Sequence, residues 1–245
     1  MASLAPSQYR QLVSSAHPGS IIILIDQSES MKDSANVVAS AVNRVVHDIV
    51  AASRSAARVR DRCFVGIIGY GGEDFPLVSG LVSALPDNPV TPRAAGGRPM
   101  AQAMTAAADL IEPHIAEYPD AFPPIVINIT SGIPDDLQKM GDGEQTRAAA
   151  KRLLRLATTD GSALLFNVHI AMTNAGELVL PTVLSSSTDA FAHFLFELSS
   201  PIPRQLAASA ANARLEAHPG SRAFVFNATP ENLVRVLAFA SASLR

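Results

Sequence analysis

The chain reads as an α/β domain: a doubly wound, mostly parallel central sheet of about six strands with helices on both faces. Three observations predict this. Short runs of β-branched and other apolar residues recur along the chain, and such unbroken runs are the mark of strands buried on both faces. Stretches with apolar residues at helical spacing separate them. The alternation continues from end to end with no linker, repeat or low-complexity tract, which argues for one sheet with crossover helices. A short extension over residues 1–18 precedes a single domain over 19–245.

Each element follows from its residues. Ile21 to Asp26 is the first strand, five apolar residues closed by a carboxylate. Ser34 to Ser53 is a helix, with Val37, Val38, Ala41, Val45, Ile49 and Val50 at helical spacing. Arg62 to Tyr70 is the second strand, stopped by Gly69, Gly71 and Gly72. Leu77 to Leu81 is a short edge strand, expected to be the antiparallel one. Asp87 to Gly97 holds Pro89, Pro92 and the Gly96-Gly97 pair and is a loop. Pro99 suits the first turn of an Ala-rich helix that runs to about Glu117. Ile125 to Thr130 is another buried strand, followed by a polar loop and a helix over Glu144 to Thr158. Thr159-Asp160-Gly161 is a turn, and Ala163 to Ala171 a strand. Asp189 to Leu198 and Arg204 to Leu215 read as helices. Ala223 to Asn227 is the last strand, and Pro230 opens the last helix.

Composition removes several functional classes. Of 245 residues 48% are hydrophobic, so a sizeable core is expected. The net charge is −3 with no basic run, which gives no support for nucleic-acid or membrane-surface binding. Residues 1–20 lack a charged region followed by an apolar one, so no signal peptide is expected. No apolar run approaches the roughly 18 residues of a membrane span. The single cysteine, Cys63, excludes an internal disulfide framework and reads as a buried core residue. A cytoplasmic protein is expected.

The most informative stretch is Ile21-Ile22-Ile23-Leu24-Ile25-Asp26-Gln27-Ser28-Glu29-Ser30-Met31. A carboxylate and two hydroxyls fall in one turn at the carboxyl end of a buried strand, where open α/β sheets place their sites. These hard oxygen ligands suit Mg²⁺ or Mn²⁺. A plain structural role stands beside this: Asp26 ends the strand and the serines cap the next helix.

These residues resemble the von Willebrand factor A family, whose metal-ion-dependent adhesion site looks like Asp26-Gln27-Ser28-Glu29-Ser30-Met31. Val65 to Gly71, Leu164 to Ile170 and Phe224 to Ala228 are similar to bacterial stand-alone members encoded beside stress-response or phage-defence genes. The likeness covers about Gly19 to Leu244 and implies the Rossmann-like fold of that family. It further implies a threonine from a second loop and an aspartate from a third. Here those loops read Gly96-Gly97-Arg98-Pro99 and Thr130-Ser131-Gly132, so Arg98 and Ser131 stand at those positions. A cation in place of one ligand and a hydroxyl in place of one carboxylate both weaken a divalent site. Metal binding at Asp26, Ser28 and Ser30 is thus expected to be weak or absent, with Mg²⁺ at most weakly held. Asp135 or Asp136 reaching back would restore it; solvated turn acids are the alternative.

Arg98 is also odd beside a helix start, where a cation meets the positive end of the dipole. Asp26 is the first candidate to offset it, Glu29 the second, and a solvent-facing Arg98 the competing reading. The resemblance implies a non-catalytic module that binds a partner protein, encoded by a neighbouring gene, at the carboxyl end of the sheet. Asp26, Ser28, Glu29, Ser30, Arg98 and Ser131 would form that face, in a bacterial stress or antiviral defence system. The alternative is a Mg²⁺-dependent hydrolase using Asp26, Ser28 and Ser30, which lacks an evident base. His47 reads as a surface or groove residue, His169 as a strand-end histidine and His193 as packing. No Gly-x-Ser-x-Gly elbow, dinucleotide fingerprint or Walker A motif occurs.

Overall fold

The computed structural model describes residues 8–55, 58–72, 75–170, 176–186 and 188–244. Residues 1–7 of the expected extension, the expected strand end at Ala171, and Arg245 lie outside them. In chain order the main elements are β1 (Gly19–Asp26), α1 (Ala35–Ala52), β2 (Cys63–Tyr70), β3 (Leu77–Leu81), α2 (Met100–Glu117) and β4 (Ile125–Thr130). There follow α3 (Asp135–Met140), α4 (Glu144–Arg155), β5 (Leu164–His169), β6 (Leu178–Val179), α5 (Ala190–Leu198), α6 (Arg204–Ala207), β7 (Phe224–Phe226) and α7 (Pro230–Ala240).

The strands form a seven-stranded sheet in the order β6-β7-β5-β4-β1-β2-β3. β1 lies at its centre, parallel to β2 and β4, with Asp26 level with Tyr70 and Ile25 level with Ile129. β5 continues the parallel sheet beside β4, and β7 beside β5. Both edges are antiparallel: β3 against β2, as expected, and the two-residue β6 against β7. The seventh strand carries no sequence signal, because two residues are too few to show a period.

Alternation along β1 divides the core. Ile21, Ile23 and Ile25 pack with Val38, Val42, Val45 and Ile49 of α1 and with Leu233 and Val236 of α7. Ile22 and Leu24 face the other way, toward Met100, Met104 and Ala107 of α2, Leu153 of α4 and Leu195 of α5. Helices therefore cover both faces. All eight residues of β1 are buried, which explains why it reads as a continuous apolar run rather than an alternating one.

Other boundaries differ from the sequence reading for local reasons. The expected helix over Arg204 to Leu215 is α6 followed by a short 3-10 turn at Ala210–Ala213, closed by Arg214 at φ 56°. The helix expected to reach Thr158 stops at Arg155, and Ala157–Thr158 pairs with Gly161–Ser162 in a small hairpin. The polar loop after β4 holds α3. Side-chain caps stand at two later helix starts, where Asp189 accepts from Phe191 N and Ala192 N, and Thr229 from Asn232 N ahead of Pro230, whereas Ser28 makes no capping bond to the turn that follows β1. A buried polar chain crosses the sheet: Tyr70 Oη donates to Asn128 Oδ1 at 2.8 Å, and Asn128 Nδ2 to Asn167 Oδ1 at 2.9 Å. Asn167 Nδ2 then reaches Ser199 Oγ at 3.1 Å. Each amide is satisfied, as burial demands.

Candidate functional site

The site is built at the carboxyl ends of β1 and β4. Asp26 is the last residue of β1 and its side chain is wholly buried. Its Oδ1 accepts Ser28 N at 2.8 Å, so the carboxylate shapes the turn that follows it. Its Oδ2 accepts four donors: Arg98 Nε at 3.0 Å, Ser131 N at 2.9 Å, Ser131 Oγ at 3.0 Å and Thr130 Oγ1 at 3.2 Å. Ser28 Oγ lies 3.0 Å from Ser30 Oγ, which lies 2.7 Å from Ser131 Oγ. Asp26, Ser28, Ser30, Arg98 and Ser131 therefore meet in one hydrogen-bonded cluster. Glu29 does not join it; its side chain is exposed and makes no hydrogen bond or ion pair among the described residues.

Arg98 arrives from a strap of loop bound to the end of β1. Ala95 N donates to Gln27 O at 2.7 Å, and Glu29 N to Gly96 O at 3.3 Å. This close approach requires glycine: Gly96 has φ +72°, and a Cβ there would stand 2.3 Å from Gly72 N. The Arg98 main chain is clamped to the third loop, its N donating to Asp135 Oδ1 at 2.8 Å and its O accepting Asp135 N at 3.0 Å. The guanidinium then lies across Gly132, whose added Cβ would be 3.2 Å from Nη1. Nη1 donates to Ile133 O and Nη2 to Ser30 Oγ, both at 2.5 Å. The cation is paired with Asp26, which offsets its conflict with the helix dipole.

Arg98 is only 14% exposed and is not a solvent-facing side chain. Asp135 and Asp136 neither reach the cluster's hydroxyls nor stand as solvated turn acids. Asp135 braces the Arg98 main chain, while Asp136 is buried and accepts Thr146 N and Oγ1 at 2.8 and 2.7 Å. The sequence reading missed Thr130, the Ile133 carbonyl and the bracing role of Asp135. The Gly96-Gly97 and Gly71-Gly72 pairs were the available signal that two loops approach closely.

These residues, as arranged, do not fit a divalent ion. The lone pairs of Asp26 Oδ2 are engaged by four donors, and the guanidinium covers Ser30 Oγ. Charge points the same way. A +2 ion about 4 Å from both Asp26 and Arg98 would feel attraction and repulsion of about 8 kcal/mol each at an effective dielectric near 20, which cancel. No group of three or more His, Cys, Asp or Glu side chains able to hold a metal occurs among the described residues.

Two of the histidines serve elsewhere, while His169 stands beside the cluster, next to the Ser131 main chain and the Arg98 charge. His47 Nε2 bonds the Asp87 carbonyl, and His193 Nε2 lies 3.0 Å from Ser185 O. His169 ends β5, stacked on Phe226 at 4.3 Å with its Nδ1 accepting Asn227 N at 3.3 Å. Burial pushes its pKa down. Burial likewise pushes the Tyr70 hydroxyl well up, with Asp26 adding to the effect.

No family model matches the chain, and no curated protein matches it. Among solved structures, the pilus adhesin SpaC from Lactobacillus rhamnosus GG is similar at TM-score 0.40 and 18% identity, over 48% of this chain and 15% of its own. The vWF domain of the type V pili tip protein Mfa5 from Porphyromonas gingivalis gives TM-score 0.39 and 14% identity, over 48% and 39%. Manganese-loaded TRAP protein from Plasmodium vivax gives 0.41 and 13%, over 63% and 58%. This chain spans less than two thirds of each. Likeness at this level carries no argument about chemistry, and the fold rests on the strand order and register given above.

Proposed function

We propose that residues 19–245 form one von Willebrand factor A-type domain that acts as a non-catalytic protein-interaction module. Its degenerate adhesion site would bind a partner protein at the carboxyl end of the sheet. One observation supports this most: Arg98 lies on Asp26, where the resembled family holds a metal ion. A fixed guanidinium there supplies positive charge without a metal. It has five N–H donors, of which three are engaged by Asp26, Ser30 and Ile133. The remaining two are suited to a carboxylate offered by a partner, a charge-assisted contact. Ser28, Glu29, Ser30 and Ser131 would surround it.

The proposal extends to setting. The partner would be the product of a neighbouring gene in a bacterial stress or antiviral defence system, and the protein would work in the cytoplasm. No helix among the described residues is long and apolar enough to cross a membrane. For a Mg²⁺-dependent hydrolase, no observation speaks: His47 and His193 are bonded to the Asp87 and Ser185 carbonyls, and His169 is held between the Ser131 main chain and Asn227 N.

The test is capture from a lysate of the native host with wild type, Arg98→Lys and Ser30→Ala as baits, each with Mg²⁺ and with chelator. We expect a protein retained by wild type regardless of chelator and lost on Arg98→Lys, because lysine cannot reproduce the planar fork. Retention that needs divalent metal, or that survives the Arg98 change, would overturn the reading.

A further inference from the structure

The chain treats the two edges of its sheet differently. β6 is only two residues long, and Leu180 at φ 48° and Pro181 end it at once. Shortness and proline blunt an edge against pairing with another strand. β3 carries neither device. The nine residues Phe75-Pro76-Leu77-Val78-Ser79-Gly80-Leu81-Val82-Ser83 include no charge, and the proline stands ahead of the strand.

Register tells which main-chain groups of β3 face out. Gly69 N donates to Pro76 O at 2.9 Å, so these two residues form a hydrogen-bonded pair. Such pairs alternate along an antiparallel ladder. Ile67 with Val78 and Val65 with Gly80 are therefore bonded too, while Leu77, Ser79 and Leu81 turn their N–H and C=O groups away from β2. Those of Leu77 and Ser79 meet no partner among the described residues. The side chains of the same three residues share one face of the sheet and are exposed, Leu77 by 51% and Leu81 by 37%.

An edge of this kind accepts one more strand, and β3 is complementary to itself. With a two-fold axis on Ser79, Ser79 faces the partner's Ser79, and Leu77 faces the partner's Leu81. All of these are outward-turned residues, so each facing pair can exchange main-chain hydrogen bonds. The leucines meet two by two on one face, as stabilising cross-strand pairs do. No like charges face one another, because the paired stretch has none. We propose that two copies of this chain associate through β3, joining their seven-stranded sheets across a two-fold axis. The paired stretch is smaller than the roughly 20–30 residues a side of a standard interface, so the dimer is a weak one. It leaves the Arg98 cluster unused and does not depend on the function proposed for that cluster.

The test is sedimentation equilibrium of the full chain from about 10 µM to about 1 mM, the range in which so small an interface should populate. Wild type should dimerise reversibly. Ser79→Pro removes an outward N–H and no bond to β2, and an edge strand tolerates proline there. It should keep the wild-type circular dichroism and weaken dimerisation at least tenfold. Leu77→Lys should weaken it comparably, and Leu77→Lys with Leu81→Glu should recover it, because the register sets each new cation against the partner's new carboxylate. A chain that stays monomeric at the highest concentration would overturn the proposal. So would a dimer that Ser79→Pro leaves intact, or one that the double change does not recover.

Discussion

Arg98 Nε donates to Asp26 Oδ2 at 3.0 Å across 72 residues of chain, and the carboxylate it meets is wholly buried. Neither side chain suits its place without the other. Asp26 would otherwise be a buried anion supported only by neutral donors, and Arg98 a cation set ahead of a helix start.

Removal of the acid should therefore be severe. Asp26→Ala strands Ser28 N, Ser131 N and the guanidinium together. Breaking a buried pair from one side costs about 3 kcal/mol or more, which for a chain of this size lowers Tm by about 6–12 °C. Urea denaturation of the variant measures it, and a loss below about 1 kcal/mol would mean that the pair is not supporting the fold.

Metal dependence should be created by mutation. Wild type should melt at the same temperature in millimolar Mg²⁺ and in chelator. Arg98→Thr alone should respond modestly, whereas Arg98→Thr with Ser131→Asp restores an oxygen set and should be stabilised by Mg²⁺ or Mn²⁺. At a hundredfold excess over Kd the gain is about 2.7 kcal/mol. A wild type that melts higher in Mg²⁺ would place Arg98 outside the cleft in solution.

The strap that carries Arg98 should tolerate no side chain at Gly96. Gly96→Ala places Cβ against Gly72 N at φ +72°. Left-handed strain costs about 1–3 kcal/mol, and the clash adds to it. Calorimetry should show a Tm loss several degrees larger than that of Gly176→Ala, where nothing lies within 4 Å of the added atom.

Acid should destabilise the protein partly through His169. Burial lowers its pKa in the folded state from 6.5, so the unfolded chain binds the proton first. The stabilising contribution is complete above about pH 6.5 and falls as pH drops from there toward the folded value. His169→Phe, which keeps a ring for Phe226, should flatten the dependence of urea midpoint on pH between 7 and 5. An unchanged slope would remove His169 from the account.

Cys63 should be silent to thiol reagents. It is fully buried and burial pushes its pKa up to about 12, so thiolate is scarce and unreachable. A disulfide-exchange reagent should label it in denaturant and not in buffer.

Much of the fold was legible because burial is written in side-chain type. β1, β2, β4 and β5 are apolar runs, and α1 shows its buried face in Val38, Val42, Val45 and Ile49. The break between α6 and Ala210–Ala213 was not legible. The alanines there favour helix, and the left-handed Arg214 that ends the turn leaves no mark in composition. The site was partly legible. Asp26, Ser28 and Ser30 are local in sequence, and a family likeness pointed to Arg98 and Ser131. Thr130 and the carbonyl of Ile133 were not, since any strand-end hydroxyl or backbone oxygen is an equal candidate until the loops are placed.

The sequence by itself determined the layers of the molecule, the carboxylate at the end of its central strand and the cation two loops away. Only the tertiary structure decided that the two are paired, that Asp135 clamps the Arg98 main chain, and that Glu29 stands aside. The physical reason is one of range. Hydrophobic burial and helical periodicity act over a few residues and can be read from any window of chain. A hydrogen bond across 72 residues depends on distances of a few tenths of an ångström, and these are set by Gly96 passing over Gly72 and by β1 lying beside β4.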